Sequence, residues 1–198
     1  MLRGIDLSHH NRNMKNPYEV NQYDFIILKA TEGATYKDPA LSFWLDKIEK
    51  NRKLKGFYHF ARPDNKNTAK AEADNFVSSI LKYLDGYCMI ALDVEAGALS
   101  AKNLDDWCLL WCKYVYAATG ITPMIYCSEA ECKRFKKCAA WGCGLWVAKW
   151  SVFKPNKIAP WKFFAIWQKS DNIKVSGVRC DYNVFNGNAD QFLKYCRN

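Results

Sequence analysis

Long hydrophobic runs are missing from this 198-residue chain, and no apolar stretch approaches the roughly 20 residues that a membrane span needs. No membrane insertion is expected. Met1-Leu2-Arg3-Gly4-Ile5-Asp6 runs directly into a strand-like motif without a basic n-region and an apolar h-region, so no secretory signal is read there. Acidic charge is short: 20 Asp and Glu stand against 29 Lys and Arg, a net charge of +9. Such a surplus raises encounter rates with polyanions. A Gly-rich RNA motif and a recognition-helix signature are both missing, so no nucleic-acid partner is expected. Histidine is scarce at three residues, none in HExxH spacing. Ser8 and His9 are adjacent, but adjacency supplies no triad geometry. Internal repeats, low-complexity tracts and linkers are lacking too, which predicts one domain over residues 1–198.

Cysteine is abundant, with nine residues, yet none forms a CxxC, which removes the zinc-ribbon and thioredoxin patterns. The odd count leaves at least one unpaired within the chain. Mostly reduced thiols are expected, with Cys108 and Cys112 as small core residues on one helix face; a surface disulfide among Cys127 to Cys143 is the alternative. Aromatic residues are rich at 15%, including eight Trp. They serve either a filled core or a cleft that stacks flat ligands such as sugar rings.

Short apolar runs alternate with helical patterns. Strands are predicted at Gly4 to Ser8, Phe25 to Ala30, Gly56 to Ala61, Cys88 to Glu95, Pro123 to Ser128, Leu145 to Trp150, Phe163 to Lys169 and Val178 to Val184. Helices are predicted after Pro39, from Thr68 to about Leu84, from Ser100 to Gly120, up to about Lys137 and over Ala189 to Cys196. The alternation implies parallel strands, and eight of them suggest an α/β fold, a TIM-like β/α barrel with a reduced number of helices.

The strongest local feature is Leu92-Asp93-Val94-Glu95. Residues i and i+2 of a strand share a face, so Asp93 and Glu95 project together at the end of a buried strand. Two carboxylates there are costly unless solvated or paired. Asp6 ends the first strand, and Asp181 lies in the last, its neighbour in a closed barrel. Four acids in one cleft suit glycoside cleavage, which needs a proton donor and a group that stabilises positive charge at the anomeric carbon. A hard metal ion is the alternative occupant. Tyr58, Tyr126, Trp150 and Gln168 stand at other strand ends, where rings stack on sugars and an amide binds hydroxyls.

In order, Gly4-Ile5-Asp6-Leu7-Ser8, Ile27 to Gly33, Gly56 to Ala61, Leu92 to Glu95, Pro123 to Tyr126, Leu145 to Trp150, Ile166-Trp167-Gln168 and Cys180 to Phe185 resemble the successive strands of glycoside hydrolase family 25, the muramidase-type lysozymes and endolysins. The resemblance covers about residues 3 to 187. It implies hydrolysis of the β-1,4 bond between N-acetylmuramic acid and N-acetylglucosamine at the bacterial cell wall. It assigns Glu95 as proton donor and Asp93 as the partner of the substrate 2-acetamido group. Asp6 and Asp181 would shape the site, and Tyr58, Tyr126, Trp150 and Gln168 would line the sugar cleft. It implies peptidoglycan glycan strands as partner, anionic wall polymers as attractors of the basic surface, no cofactor, no metal and a monomer. The cysteine richness and His9-His10 depart from the family pattern. The rival reading is a non-catalytic glycan-binding barrel.

Overall fold

A computed structural model describes residues 1–48 and 53–196. Its strands are β1 (Leu2–Leu7), β2 (Phe25–Glu32), β3 (Tyr36–Lys37), β4 (Leu54–Phe60), β5 (Cys88–Asp93), β6 (Met124–Ser128), β7 (Gly144–Ala148), β8 (Ile166–Val175) and β9 (Val178–Phe185). Its helices are α1 (Leu41–Lys47), α2 (Ala69–Ile80), α3 (Leu104–Thr119), α4 (Lys136–Trp141) and α5 (Ala189–Leu193). Eight strands close in the order β1-β9-β8-β7-β6-β5-β4-β2, with β2 returning to β1; the short β3 lies antiparallel on the end of β2. The expected barrel with few helices is thus observed.

One strand departs from the parallel expectation. All pairs from β1 round to β8 are parallel, but β9 runs antiparallel to both β8 and β1. The reason is the connection. β8 and β9 are joined through Ser176 and Gly177 alone, both at positive φ (47° and 87°), and a two-residue hairpin turn admits only antiparallel strands. The same hairpin lengthens β8 to Val175, beyond the predicted end at Lys169.

Helix ends follow local chemistry. The Thr68 side chain accepts the Ala71 N–H at the start of α2 (3.1 Å), and Gly120 closes α3 in the left-handed region. Ser100 does not open α3 as expected. It ends a 3-10 turn over Ala96–Ser100, and Asn103, at φ 54°, separates that turn from the helix.

The barrel interior is layered. Phe25, Ile27, Met89, Ala91, Met124, Ile166 and Phe185 form an apolar cluster separate from the larger one between barrel and helices. Phe192 of α5 plugs the lower end, its ring centroid 5.3 Å from Phe25 and 5.1 Å from Phe185. Alternation along the strands then places the next inward residues, among them Asp6, Tyr58, Asp93 and Tyr126, in a polar layer above the apolar floor. All nine cysteines are buried, with no disulfide among the described residues. The Cys127 and Cys132 sulfurs lie 3.8 Å apart, inside the protein rather than on its surface.

Gly4 makes room for this floor. A Cβ at that position would stand 2.3 Å from the Phe25 ring of the neighbouring strand. Gly4→Ala should therefore destabilise the fold by about 1–3 kcal/mol through overpacking, read as a lowered urea midpoint at unchanged m-value.

Candidate active site

The upper rim of the barrel encloses a cleft of about 590 Å³. Asp6, Asp93, Glu95 and Asp181 all line it, and so do Tyr58, Tyr126, Trp150 and Gln168. The structure thus brings together the four acids and the four cleft residues proposed from the sequence. They arrive by different routes. Asp6 and Asp93 lie within β1 and β5, and Asp181 lies in the first half of β9, whose reversed direction puts that half at the upper rim. Glu95 and Trp150 lie just past the ends of β5 and β7. Glu95 keeps an extended backbone (φ −146°), and the Val94 N–H donates to Tyr126 O at 2.9 Å, so the strand alternation continues to Glu95.

Asp6 is the most connected of the acids. It stands directly opposite Asp181 in the β1–β9 register. The Asn183 side-chain amide donates to Asp6 Oδ2 at 2.7 Å, and the Gln168 amide donates to the same oxygen at 3.1 Å. Trp146 Nε1 donates to Asn183 Oδ1 at 2.8 Å; Tyr126 Oη and Trp150 Nε1 donate to Gln168 Oε1 at 2.9 and 3.1 Å. Burial first, and then the Asp181 charge, push the Asp6 carboxyl well above the usual carboxylate range, against the Asn183 and Gln168 amides; a hydrogen bond joins it to Asp181. A protonated Asp6 sharing its proton with Asp181 relieves the repulsion of facing like charges.

Asp93 and Glu95 are perturbed the same way. Burial and the charge of Glu95 push Asp93 well up, opposed by Lys29. Burial and the charge of Asp181 raise Glu95, again opposed by Lys29. Asp93 Oδ1 is buried without a hydrogen-bond partner among the described residues. Unpartnered buried acceptors are rare and costly, and this one borders the cleft.

Residues of the site that the sequence reading did not name include Lys29 and Trp146 of the cleft lining and the buried Asn183. Lys29 lines the cleft and donates to Glu32 Oε2 at 2.7 Å, and Arg62 Nη1 donates to Glu32 Oε1 at 2.9 Å. A lone cation in the otherwise apolar Phe25–Ala30 was the available signal. Asn183 had one too, since it stands two residues after Asp181 on the same face. Trp146 had none; only the barrel turns it inward, 4.7 Å from the Tyr126 ring. Conversely, His59 faces away from the cleft. It is buried between Thr31 Oγ1 and Glu72 Oε2, each at 2.7 Å, and stacks on Trp111. Among the described residues, no three His, Cys, Asp or Glu side chains are arranged to hold a metal ion.

The raised carboxyls carry a stability consequence. A folded carboxyl whose pKa exceeds its unfolded value of about 4 favours folding below that pH, and the benefit is lost as pH rises through the raised value. Asp93→Asn should therefore unfold at a higher urea concentration than the wild type at pH 7. The gain should shrink towards pH 4, in paired denaturation curves at the two pH values.

Comparison with known proteins matches this geometry to a family. The family model described as glycosyl hydrolases family 25 matches residues 5–178. An N,O-diacetylmuramidase of Arthroderma benhamiae is 28% identical over 99% of this chain and 87% of its own length. Lysozyme M1 of Streptomyces globisporus is 30% identical over 100% of this chain and 72% of its own. The crystal structure of a bacterial lysozyme from Streptomyces coelicolor superposes with a TM-score of 0.85 at 27% identity, covering 100% of this chain and 97% of that one. A match from the first strand into the last, on the same closed barrel, makes this chain a glycoside hydrolase belonging to family 25.

Proposed function

We propose that the chain is a muramidase that hydrolyses the β-1,4 bond between N-acetylmuramic acid and N-acetylglucosamine in peptidoglycan, with Glu95 as the proton donor. The observation that carries this reading is the pairing of two unlike carboxyls in one cleft: Glu95, partly exposed with a raised pKa, and Asp93, buried with an unpartnered Oδ1. Relatives named lysozyme and N,O-diacetylmuramidase support the substrate class.

In this mechanism Glu95 holds a proton because burial and the Asp181 charge oppose its ionisation. It donates that proton to the glycosidic oxygen as the bond to the anomeric carbon breaks. The substrate acetamido oxygen attacks the anomeric carbon; with Glu95 protonated its charge no longer opposes ionisation of Asp93, and the Asp93 carboxylate accepts the acetamido N–H, orienting the group and balancing its developing positive charge. Water then opens the cyclic intermediate, its proton passing to the Glu95 carboxylate, which restores the acid. Tyr58, Tyr126 and Trp150 stack on sugar faces. Gln168 holds the Asp6 end of the site, and Asp6 with Asp181 keeps the local field negative. The net charge of +9 favours encounter with the anionic polymers of a bacterial wall.

Glu95→Gln should fold normally and lose at least ~10²-fold in rate, measured as reducing ends released from purified peptidoglycan. Near-normal activity in this variant would remove Glu95 as the acid. Wild-type activity should fall on the alkaline side as pH rises through the raised Glu95 value, because the donor must be protonated, and chelator should leave the rate unchanged. In the same assay Asp93→Asn should lose on the order of 10²-fold or more; full activity there would dismiss the acetamido role.

A further inference from the structure

After β7 the chain runs from residue 149 to residue 165 without a helix. The first part of this segment, residues 149–157, forms a strap that brings Trp150 to the cleft. Pro155 is its buried residue, and the tip is open. Trp150 is 62% exposed, and Val152 and Phe153 at the tip are 79% and 75% exposed. Polar ties hold it at two places: beside Trp150, the Lys149 N–H donates to Gln168 O at 3.1 Å and Trp167 Nε1 donates to Lys149 O at 2.7 Å, and further along the ties meet on one side chain. Glu129, in the turn after β6, accepts the backbone N–H groups of Asn156 and Lys157 on Oε1, at 2.6 and 3.0 Å. Its Oε2 pairs with Lys149 Nζ at 3.1 Å, and the same ammonium donates to Lys154 O at 3.2 Å. One carboxylate therefore grips both ends of the strap.

We propose that Glu129 is a positioning residue for substrate binding, fixing strap 149–157 so that the Trp150 ring stands ready at the cleft rim. The proposal rests on the cleft being a sugar site. The physical gain is preorganisation: an aromatic already held at the rim loses little freedom when a ligand stacks on it. The indole N–H bond to Gln168 Oε1 (3.1 Å) fixes one edge of the ring, and the strap fixes its backbone. Burial raises the Glu129 carboxyl, but the Lys157 and Asn156 N–H groups together with Lys149 outweigh it and hold the group below the usual range. These partners favour the ionised form that the grip requires.

The test is a double-mutant cycle on kcat and KM for reducing-end release from solubilised peptidoglycan, using Glu129→Ala, Trp150→Ala and the pair. Glu129→Ala should raise KM about tenfold, the scale expected for lost charge-assisted bonds, with kcat within about twofold of wild type. With Trp150 already replaced, adding Glu129→Ala should change KM by less than about twofold. An unchanged KM in Glu129→Ala, or effects that multiply in the double variant, would overturn the proposal. Glu129→Gln keeps an oxygen for the two N–H groups and loses only the ion pair, so it should fall between wild type and Glu129→Ala. It serves as the test if the alanine variant does not fold. The same set, carried on Glu95→Gln, is read by the fraction bound to insoluble peptidoglycan. A wild type that binds but releases no reducing ends removes the hydrolytic reading alone, and the bound fractions still decide Glu129. A wild type that neither binds nor cleaves removes both.

Discussion

The pairing of β9 with β1 sets Asp181 directly across from Asp6, and the rest of the cleft is arranged around that meeting of like charges. Two carboxyls in a buried register pair repel unless one keeps its proton, and burial favours that outcome. Asn183 and Gln168 then fasten the shared site from two sides. Each is itself held, by Trp146 and by Tyr126 and Trp150, so the aromatic wall and the acidic pair form one hydrogen-bonded unit. The charge of Asp181 reaches Glu95 and raises it, which links barrel closure to the protonation state of the proposed acid.

This arrangement works against folding. Four carboxyls with raised pKa values crowd one cleft; Lys29, itself paired with Glu32, opposes Asp93 and Glu95, and Arg179 opposes Asp181. The rest of the molecule offsets that cost. The apolar floor of Phe25, Ile27, Met89, Met124 and Ile166 is closed below by Phe192, and a larger core lies between barrel and helices. Among the described residues, Asp93 Oδ1 remains a buried acceptor without a partner. Such strain is typical of functional sites, where an acceptor is kept for a group the substrate brings.

The absent helices after β7 and β8 shape the cleft as much as the strands do. Without a helix after β7, the chain runs as a strap that brings Trp150 to the site, held by the Glu129 ties and by the buried Pro155 and Ile158. Without a helix after β8, a two-residue hairpin reverses β9, which carries Asp181 and Asn183 to the upper rim from the early half of their strand.

Much of the barrel and of the cleft was legible in the chain alone. The uniform apolar run of β5 made Asp93 and Glu95 stand out, with period-2 alternation placing both on one face, and Asp6, Tyr58 and Tyr126 were marked by their places at strand ends, because strand periodicity and strand ends are local properties. The resemblance to family 25 rested on motifs in order along nearly the whole length. The direction of β9 was not legible, because Ser176 and Gly177 read as part of a loop until both proved to sit at positive φ. The partners that hold Trp146 and His59 were not legible either, since Asn183, Thr31 and Glu72 lie on other elements of the fold. The amino-acid sequence by itself determined which residues could carry proton transfer and roughly where strands and helices run. Only the tertiary structure decided how acids far apart in the chain raise one another's pKa values, and how Glu129 holds a strap some twenty residues away, because charge interaction and hydrogen bonding depend on distance in space rather than on distance along the chain.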